Sequence, residues 1–224
     1  MRPDKLISRG KKAVVLLSGG LDSAVTLYLA IKNGFLCSCL AFDYGQRHRR
    51  EIENARRLAK KTGSALRVIK FGLPWGGSSL LNKKKSLPPA GSRGIPSTYV
   101  PARNIIFLSF ALSYAETIGA ETIFIGAHIH DYSGYPDCRE EFLRSFQSAA
   151  RYGTRTGSVS AGIKISAPLV NKSKVQIIRL GKSLGVPFNL TWSCYKGGSS
   201  PCGRCQSCFF RLKGFQEADL KDPL

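Results

Sequence analysis

The chain has 224 residues, 43% of them hydrophobic, which is enough for a real core and excludes a globally disordered protein. No apolar run approaches the ~18 residues needed to span a bilayer, and the basic start leads through a short apolar run into a glycine turn, so it is read as a first strand rather than a secretion signal. Lys and Arg number 34 against 14 Asp and Glu, a net charge of +20, which favours anionic partners such as nucleic acid, ATP or a carboxylate.

The basic residues are spread along the chain, so a generally basic surface accounts for the charge equally well, and Lys83, Lys84 and Lys85 read as a solvated loop tip. A cytoplasmic location is expected. Residues 13–17 form a short continuous apolar run, the pattern of a strand buried on both faces. Residues 22–33 read as a helix closed by Gly34. "FLCSCLAFDYG" reads as a second strand, "REIENARRLAKKTG" as an amphipathic helix ending at Gly63, and "ALRVIKF" as a third strand. This β-α-β-α-β order predicts a parallel sheet with right-handed crossovers. Residues 72–96, rich in Gly, Ser, Pro and Lys, form a loop long enough to be either mobile or functional. "NIIFLSFALSYAETIG" is apolar almost all round and predicts a buried helix. "AETIFIGA" predicts a strand, "CREEFLRSFQSAARYG" a helix, "KISAPL" a short strand, and "SKVQIIRLGKSLGV" an amphipathic helix stopped by Gly185 and Pro187. No internal repeat and no clear linker divides the chain.

"SGGLDS" follows the first strand and opens the first helix. Gly19 and Gly20 let backbone N–H groups close on an anion, the helix N-terminus adds partial positive charge, and Ser18 and Ser23 add hydroxyls. Asp22 would repel a polyphosphate; it is expected either to hold Mg²⁺ or to cap the helix. The string is neither a P-loop nor GxGxxG. It resembles the signature of the PP-loop ATP pyrophosphatases, which cleave ATP between the α- and β-phosphates and adenylate a substrate oxygen.

The seven cysteines are an odd number. Cys194, Cys202, Cys205 and Cys208 lie in one short segment with two overlapping CxxC spacings, a set that suits tetrahedral Zn²⁺ in a closed structural site; an iron–sulfur cluster is the alternative. Cys37 and Cys39 alternate on a strand and read as buried core thiols. His128 and His130, an HxH pair, are a weaker metal candidate.

Three polar blocks, "FDYGQRHRRE", "TYVPARN" and "DYSGYPDCREEF", are expected at the carboxyl ends of strands, where α/β sheets bind ligands. Together with "SGGLDS", "TWSCY" and "PCGRCQSC", they resemble the 7-cyano-7-deazaguanine synthases, the QueC family, in the family's order over nearly the whole chain. Departures are the histidines of "GAHIHDYSG" and Glu140, where proline is frequent.

The resemblance implies an α/β fold: a doubly wound, mainly parallel PP-loop sheet over residues 1–190, with a four-cysteine zinc segment over 191–224 packed on it. It implies an ATP-dependent ligase in deazaguanine-nucleoside biosynthesis, for queuosine or archaeosine. The enzyme would convert 7-carboxy-7-deazaguanine and ammonia to 7-cyano-7-deazaguanine through adenylated acid and amide, with ATP, Mg²⁺ and one structural Zn²⁺. ATP contacts are expected from Leu17, Ser18, Gly19, Gly20, Leu21, Asp22, Ser23, Ala24, Val25, Thr26 and Leu27, with His48 and Lys174. Ser18, Asp22 and Ser23 serve the phosphates. Arg103 and Arg139 are cationic candidates for the substrate carboxylate or the departing pyrophosphate, and Tyr99 and Tyr135 candidates to stack on the deazaguanine. Asp131 and Asp137 are candidates for the guanine edge or the ammonia proton, and Lys164 and Lys172 for phosphate neutralisation. No membrane or direct nucleic-acid contact is required, and a homodimer is compatible. Three alternatives stand: a tRNA-thiolating PP-loop enzyme, a non-catalytic zinc-bearing nucleic-acid binder, and a relative that attaches a deazaguanine to a protein.

Overall fold

Five short strands pair side by side, all parallel, in the order β3-β2-β1-β4-β5. They are β1 (Lys12–Leu16), β2 (Leu36–Asp43), β3 (Ala65–Lys70), β4 (Thr122–Phe124) and β5 (Lys164–Ser166). This computed structural model describes residues 10–82, 84–88, 94–128 and 135–224. The helices are α1 (Leu21–Lys32), α2 (Arg50–Thr62), α3 (Arg103–Ile118), α4 (Glu140–Tyr152), α5 (Arg155–Val159), α6 (Lys174–Ser183) and α7 (Gln206–Glu217). The doubly wound α/β architecture read from the sequence is the one found.

Strand alternation sends β1 residues to both faces of the sheet. Ala13 and Val15 pack with α1, α2 and α6 on one side, while Val14 and Leu16 pack with α3 and α4 on the other. All four are buried, which explains why the run reads as continuously apolar. Cys37 and Cys39 belong to the first face, and burial pushes their thiols up to about 11 and about 12.

Several elements differ from the sequence reading. α3 is buried along one stripe only, through Asn104, Leu108, Ala111 and Ala115, while Ile105 and Phe110 are exposed. The helix lies on the sheet with its outer face uncovered by any described residue. β4 is shorter than "AETIFIGA", because Ile125 already leaves the ladder with one bond to Ser166. α5, opened by Thr154 accepting from the Gly157 N–H, and α7 have no counterpart in the sequence reading. The start of α6 is set by a full capping box between Ser173 and Gln176.

The described part of the segment after β3 is packed rather than loose. Ser78, Ser79 and Thr98 are fully buried, and the Ser78 hydroxyl donates to the Thr98 carbonyl. Among the described residues no helix is long and apolar enough to cross a membrane.

Candidate active site

The order β3-β2-β1-β4-β5 reverses direction between β1 and β4, so a crevice opens at their carboxyl ends. The turn from β1 into α1 forms its floor. Gly19 has φ +87°, and a Cβ there would sit 2.0 Å from the Glu51 carbonyl oxygen, so only glycine fits between this turn and α2. The Gly20 N–H donates to Ser18 Oγ at 3.1 Å, and Ser23 Oγ lies 3.0 Å from both Ser18 Oγ and the Gly20 carbonyl. The hydroxyls thus hold the turn in a cradle at the N-terminus of α1, where orphan N–H groups and the helix dipole favour an anion.

Asp22 does not cap α1, since that N-terminus has no side-chain cap. Its carboxylate oxygens lie 2.8 and 3.0 Å from Lys174 Nζ, and Oδ2 lies 3.2 Å from His128 Nε2. Burial works against the ionised carboxylate, but the Lys174 and His128 charges and hydrogen bonds overcome it and hold the group well below the usual carboxylate range. Lys174 Nζ and His128 Nε2 are themselves 3.1 Å apart, so the three groups form one cluster. His128 enters as a partner of Asp22. His130, its companion in the HxH pair, lies outside the described residues.

Two cavities adjoin above this floor, of about 250 and 200 Å³. The first runs along the strand ends, with an apolar wall that includes Leu40, Phe42, Phe107 and Ile125 and polar groups from Tyr44, His48 and Glu51. The second runs toward α6 and α7, past His128, Tyr135, Lys174 and Gln206. Asp22, Arg103, Cys138 and Tyr195 line both.

Arg103 is the cation at this junction. Burial opposes its charge, but the phenols of Tyr44 and Tyr135 and the Cys138 thiol outweigh that and keep it protonated. Its Nε is buried with no hydrogen-bond partner among the described residues. Burial first, against the opposing pull of Arg103, raises the phenols of Tyr44, Tyr135 and Tyr195. Burial likewise pushes the Cys138 thiol up to about 11, which leaves it a poor nucleophile. His48 is buried, with Nε2 3.3 Å from the Glu51 carboxylate and its ring 5.6 Å from that of Tyr195.

Leu17, Ser18, Gly20, Leu21, Asp22, Ser23, His48 and Arg103 line the first cavity, and Tyr135 and Lys174 the second. Gly19 shapes the cradle by its close approach to α2 and lines neither cavity. Ala24, Val25 and Leu27 point into the core, and Thr26 donates to the Asp22 carbonyl. Tyr99 stands 5.7 Å from the Tyr135 ring, outside the cavity lining, with its hydroxyl accepting from the Ala102 N–H. Asp137 is buried and accepts from the Asn104 N–H at 2.9 Å, serving the start of α3. Arg139 is exposed at the start of α4, and Lys164 opens β5, at the opposite end of the sheet. Asp131 lies outside the described residues. Tyr44, Glu51, Trp192, Tyr195, Gln206 and Ser207 reach the site although sequence reasoning did not single them out.

The four C-terminal cysteines come together, with their sulfur atoms all within 4.8 Å of one another. Around an ion with sulfur at ~2.3 Å, tetrahedral thiolates stand about 3.8 Å apart, and Cys202 and Cys208 are at 4.0 Å. The N–H groups of Lys196 and Cys202 point at Cys194 Sγ, each at 3.4 Å, as suits a metal-bound thiolate. The donor set and its spacing are compatible with zinc, and none of the four makes a disulfide. This cluster is tied to the cradle: the Trp192 N–H donates to the Gly19 carbonyl at 2.9 Å, and the Trp192 indole N–H to the Cys194 carbonyl.

Comparison with known proteins agrees with this geometry. The family model described as "Queuosine biosynthesis protein QueC" matches residues 12–219. A 7-cyano-7-deazaguanine synthase from Trichormus variabilis is 53% identical over 95% of this chain and 97% of its own length. One from Thermoplasma acidophilum is 50% identical over 96% and 91%. Among solved structures, a 4-thiouridine synthetase in an RNA complex with bound ATP has a TM-score of 0.52 at 23% identity, covering 93% of this chain and 50% of that one. The NMN synthetase from Francisella tularensis has a TM-score of 0.50 at 16% identity, covering 95% and 89%. These two share the fold.

Proposed function

The chain belongs to the QueC family of queuosine biosynthesis proteins, and on that premise we propose that it converts 7-carboxy-7-deazaguanine and ammonia to 7-cyano-7-deazaguanine using ATP. The observation that carries the reading is the meeting of the glycine cradle, Lys174 and Arg103 around two adjoining cavities, in a chain about half identical to named synthases over nearly its full length.

The chemical problem is a pair of poor leaving groups. A carboxylate oxygen does not depart, and neither does an amide oxygen. Transfer of AMP to the carboxylate releases pyrophosphate and makes an acyl-adenylate; ammonia adds, AMP leaves, and the amide results. A second transfer of AMP to the amide oxygen, followed by loss of AMP and a proton, leaves the nitrile.

The residues divide as the cavities do. The apolar wall of the first cavity suits adenine, and the cradle of Ser18, Gly19, Gly20 and Ser23 suits the phosphates. Lys174 neutralises charge that develops on the departing pyrophosphate. Asp22 holds Lys174 in place and is a carboxylate at the glycine cradle that would hold Mg²⁺, which would supply further charge neutralisation. Arg103, at the junction, suits the oxygen that accepts AMP. The phenol rings of Tyr135 and Tyr195 give the second cavity flat walls for a heterocycle. Cys194, Cys202, Cys205 and Cys208 would hold Zn²⁺ in a closed site with no open position for water, so its contribution is structural.

The test is AMP release with Mg·ATP. Release that requires both the carboxy-deazaguanine and ammonium supports the reading; release indifferent to the base contradicts it.

A further inference from the structure

The zinc segment does more than tie down the C-terminus. Ser193 and Tyr195 flank Cys194, Gln206 follows Cys205, and Ser207 precedes Cys208; all four line the second cavity. The cysteine cluster therefore carries its own neighbours to the wall of this cavity. Gln206 stands out among them. The residue is 6% exposed, it opens α7, and its side-chain amide has no hydrogen bond to any described residue. Its amide atoms are not among the buried side-chain atoms left without a partner, so they are reached from the cavity they line, where a ligand can meet them.

Several other polar groups of this cavity are already engaged. Lys174 and His128 face Asp22. The Tyr135 hydroxyl lies 2.7 Å from Thr98 Oγ1. Ser193 Oγ accepts from Arg211 Nη1 at 3.4 Å, and Arg211 is further held by Asp222 and Thr191. Gln206 is the single side-chain amide among the described residues lining this cavity. An amide presents one acceptor and two donors in a plane, the complement of the lactam edge of a guanine-like base, which offers a donor N–H beside an acceptor C=O.

We infer that Gln206 is a specificity-determining residue that reads the lactam edge of the heterocycle while Arg103, which lines both cavities, takes its carboxyl group. This rests on the function proposed above. It assigns base recognition to the metal-bearing segment rather than to the sheet, so that cysteine spacing and substrate choice are set by one short stretch of chain.

The experiment compares the zinc-loaded wild-type protein with Gln206→Leu, which keeps the shape and removes both bonds, and Gln206→Glu, which keeps only acceptors. For each, KM is measured separately for carboxy-deazaguanine and for ATP, zinc per chain is determined, and binding of 7-cyano-7-deazaguanine is followed by calorimetry without ATP. The expected result is a rise of about tenfold or more in KM for the base in the Leu variant and a smaller rise in the Glu variant, because two neutral hydrogen bonds together are worth roughly one order of magnitude. KM for ATP and zinc content stay unchanged, and nitrile-base binding weakens in parallel. A base KM within about twofold of wild type in both variants overturns the inference while leaving the function standing. So does a joint shift of both KM values with zinc loss, which marks a purely structural role. A wild-type protein that neither turns over nor binds the base contradicts the proposed function, and the inference with it.

Discussion

Lys174 Nζ sits 2.8 Å from Asp22 Oδ1, joining the first turn of α6 to the first turn of α1 across 152 residues of sequence. The carboxylate beside the phosphate cradle is thereby neutralised from within the protein, which resolves its apparent repulsion of a polyphosphate. The pair also puts an ammonium group beside the glycine turn that opens α1.

If the pair acts as a unit, its members are not additive. Asp22→Ala and Lys174→Ala are each expected to lower the rate of pyrophosphate release by roughly 10²–10³-fold, the scale for losing one preorganised charge-stabilising group. The double variant should lose little more than either single one. A coupled pyrophosphate assay on all three decides it, and independent, multiplying losses would contradict the unit.

The pH behaviour of this pair has a definite sign. The folded-state pKa of Asp22 is depressed, so the stabilisation it contributes is present above its unfolded value of about 3.9 and disappears as pH falls through the lower folded value. Between pH 6 and 9 the wild-type unfolding midpoint should therefore carry no inflection from Asp22. The stability difference between wild type and Asp22→Asn should be constant over that range and shrink only in strong acid. Urea titrations at stepped pH measure it.

Gly19→Ala tests the cradle by geometry alone. The left-handed φ and the approach of a Cβ to 2.0 Å from the Glu51 carbonyl leave no room for a methyl group. A loss of stability of at least about 1–3 kcal/mol is expected, with ATP affinity falling further than the midpoint shift accounts for, since the turn itself must move. Thermal melts with and without Mg·ATP separate the two effects.

Metal removal should reach the nucleotide site. Trp192 bonds the Gly19 carbonyl through its N–H and the Cys194 carbonyl through its indole. Stripping the zinc expected there, by chelation or by Cys205→Ser, should lower the melting temperature and weaken ATP binding together. Tight ATP binding by a metal-free protein would show that the segment is an independent appendage.

The thiols provide a further check. Burial raises Cys37, Cys39 and Cys138 to about 11, about 12 and about 11, so little thiolate exists at pH 8. With the other four bound to metal, a thiol reagent should react slowly with the native protein and with all seven cysteines after unfolding. Fast reaction of even one thiol in the metal-loaded protein would contradict this account.

The centre of the sheet was readable because β1, β4 and the latter half of β2 are buried, and burial on two faces writes itself as unbroken apolar runs, whereas the edge strands β3 and β5 are partly exposed. α7 was not readable, because Gly214 interrupts its pattern. That glycine is there for close packing, since a Cβ would lie 2.5 Å from Lys174 Cγ and 2.9 Å from Ile178 Cδ1. The exposure of Ile105 and Phe110 on α3 was also hidden, because an apolar sequence does not say which side a neighbour covers. At the site, the phosphate turn and the cysteines announced themselves by local spacing. Asp22 with Lys174, and Gln206 with the second cavity, could not, because their meaning depends on elements that meet only in three dimensions. Asp137 shows the converse: a carboxylate in a polar block is engaged with the N–H of Asn104.

The most direct measurement is mass spectrometry of the protein incubated with carboxy-deazaguanine, ¹⁵N-ammonium and Mg·ATP. The account predicts transient ¹⁵N-amide, then ¹⁵N-nitrile, with two AMP formed per nitrile. Recovery of the acid unchanged, with no AMP, would contradict it.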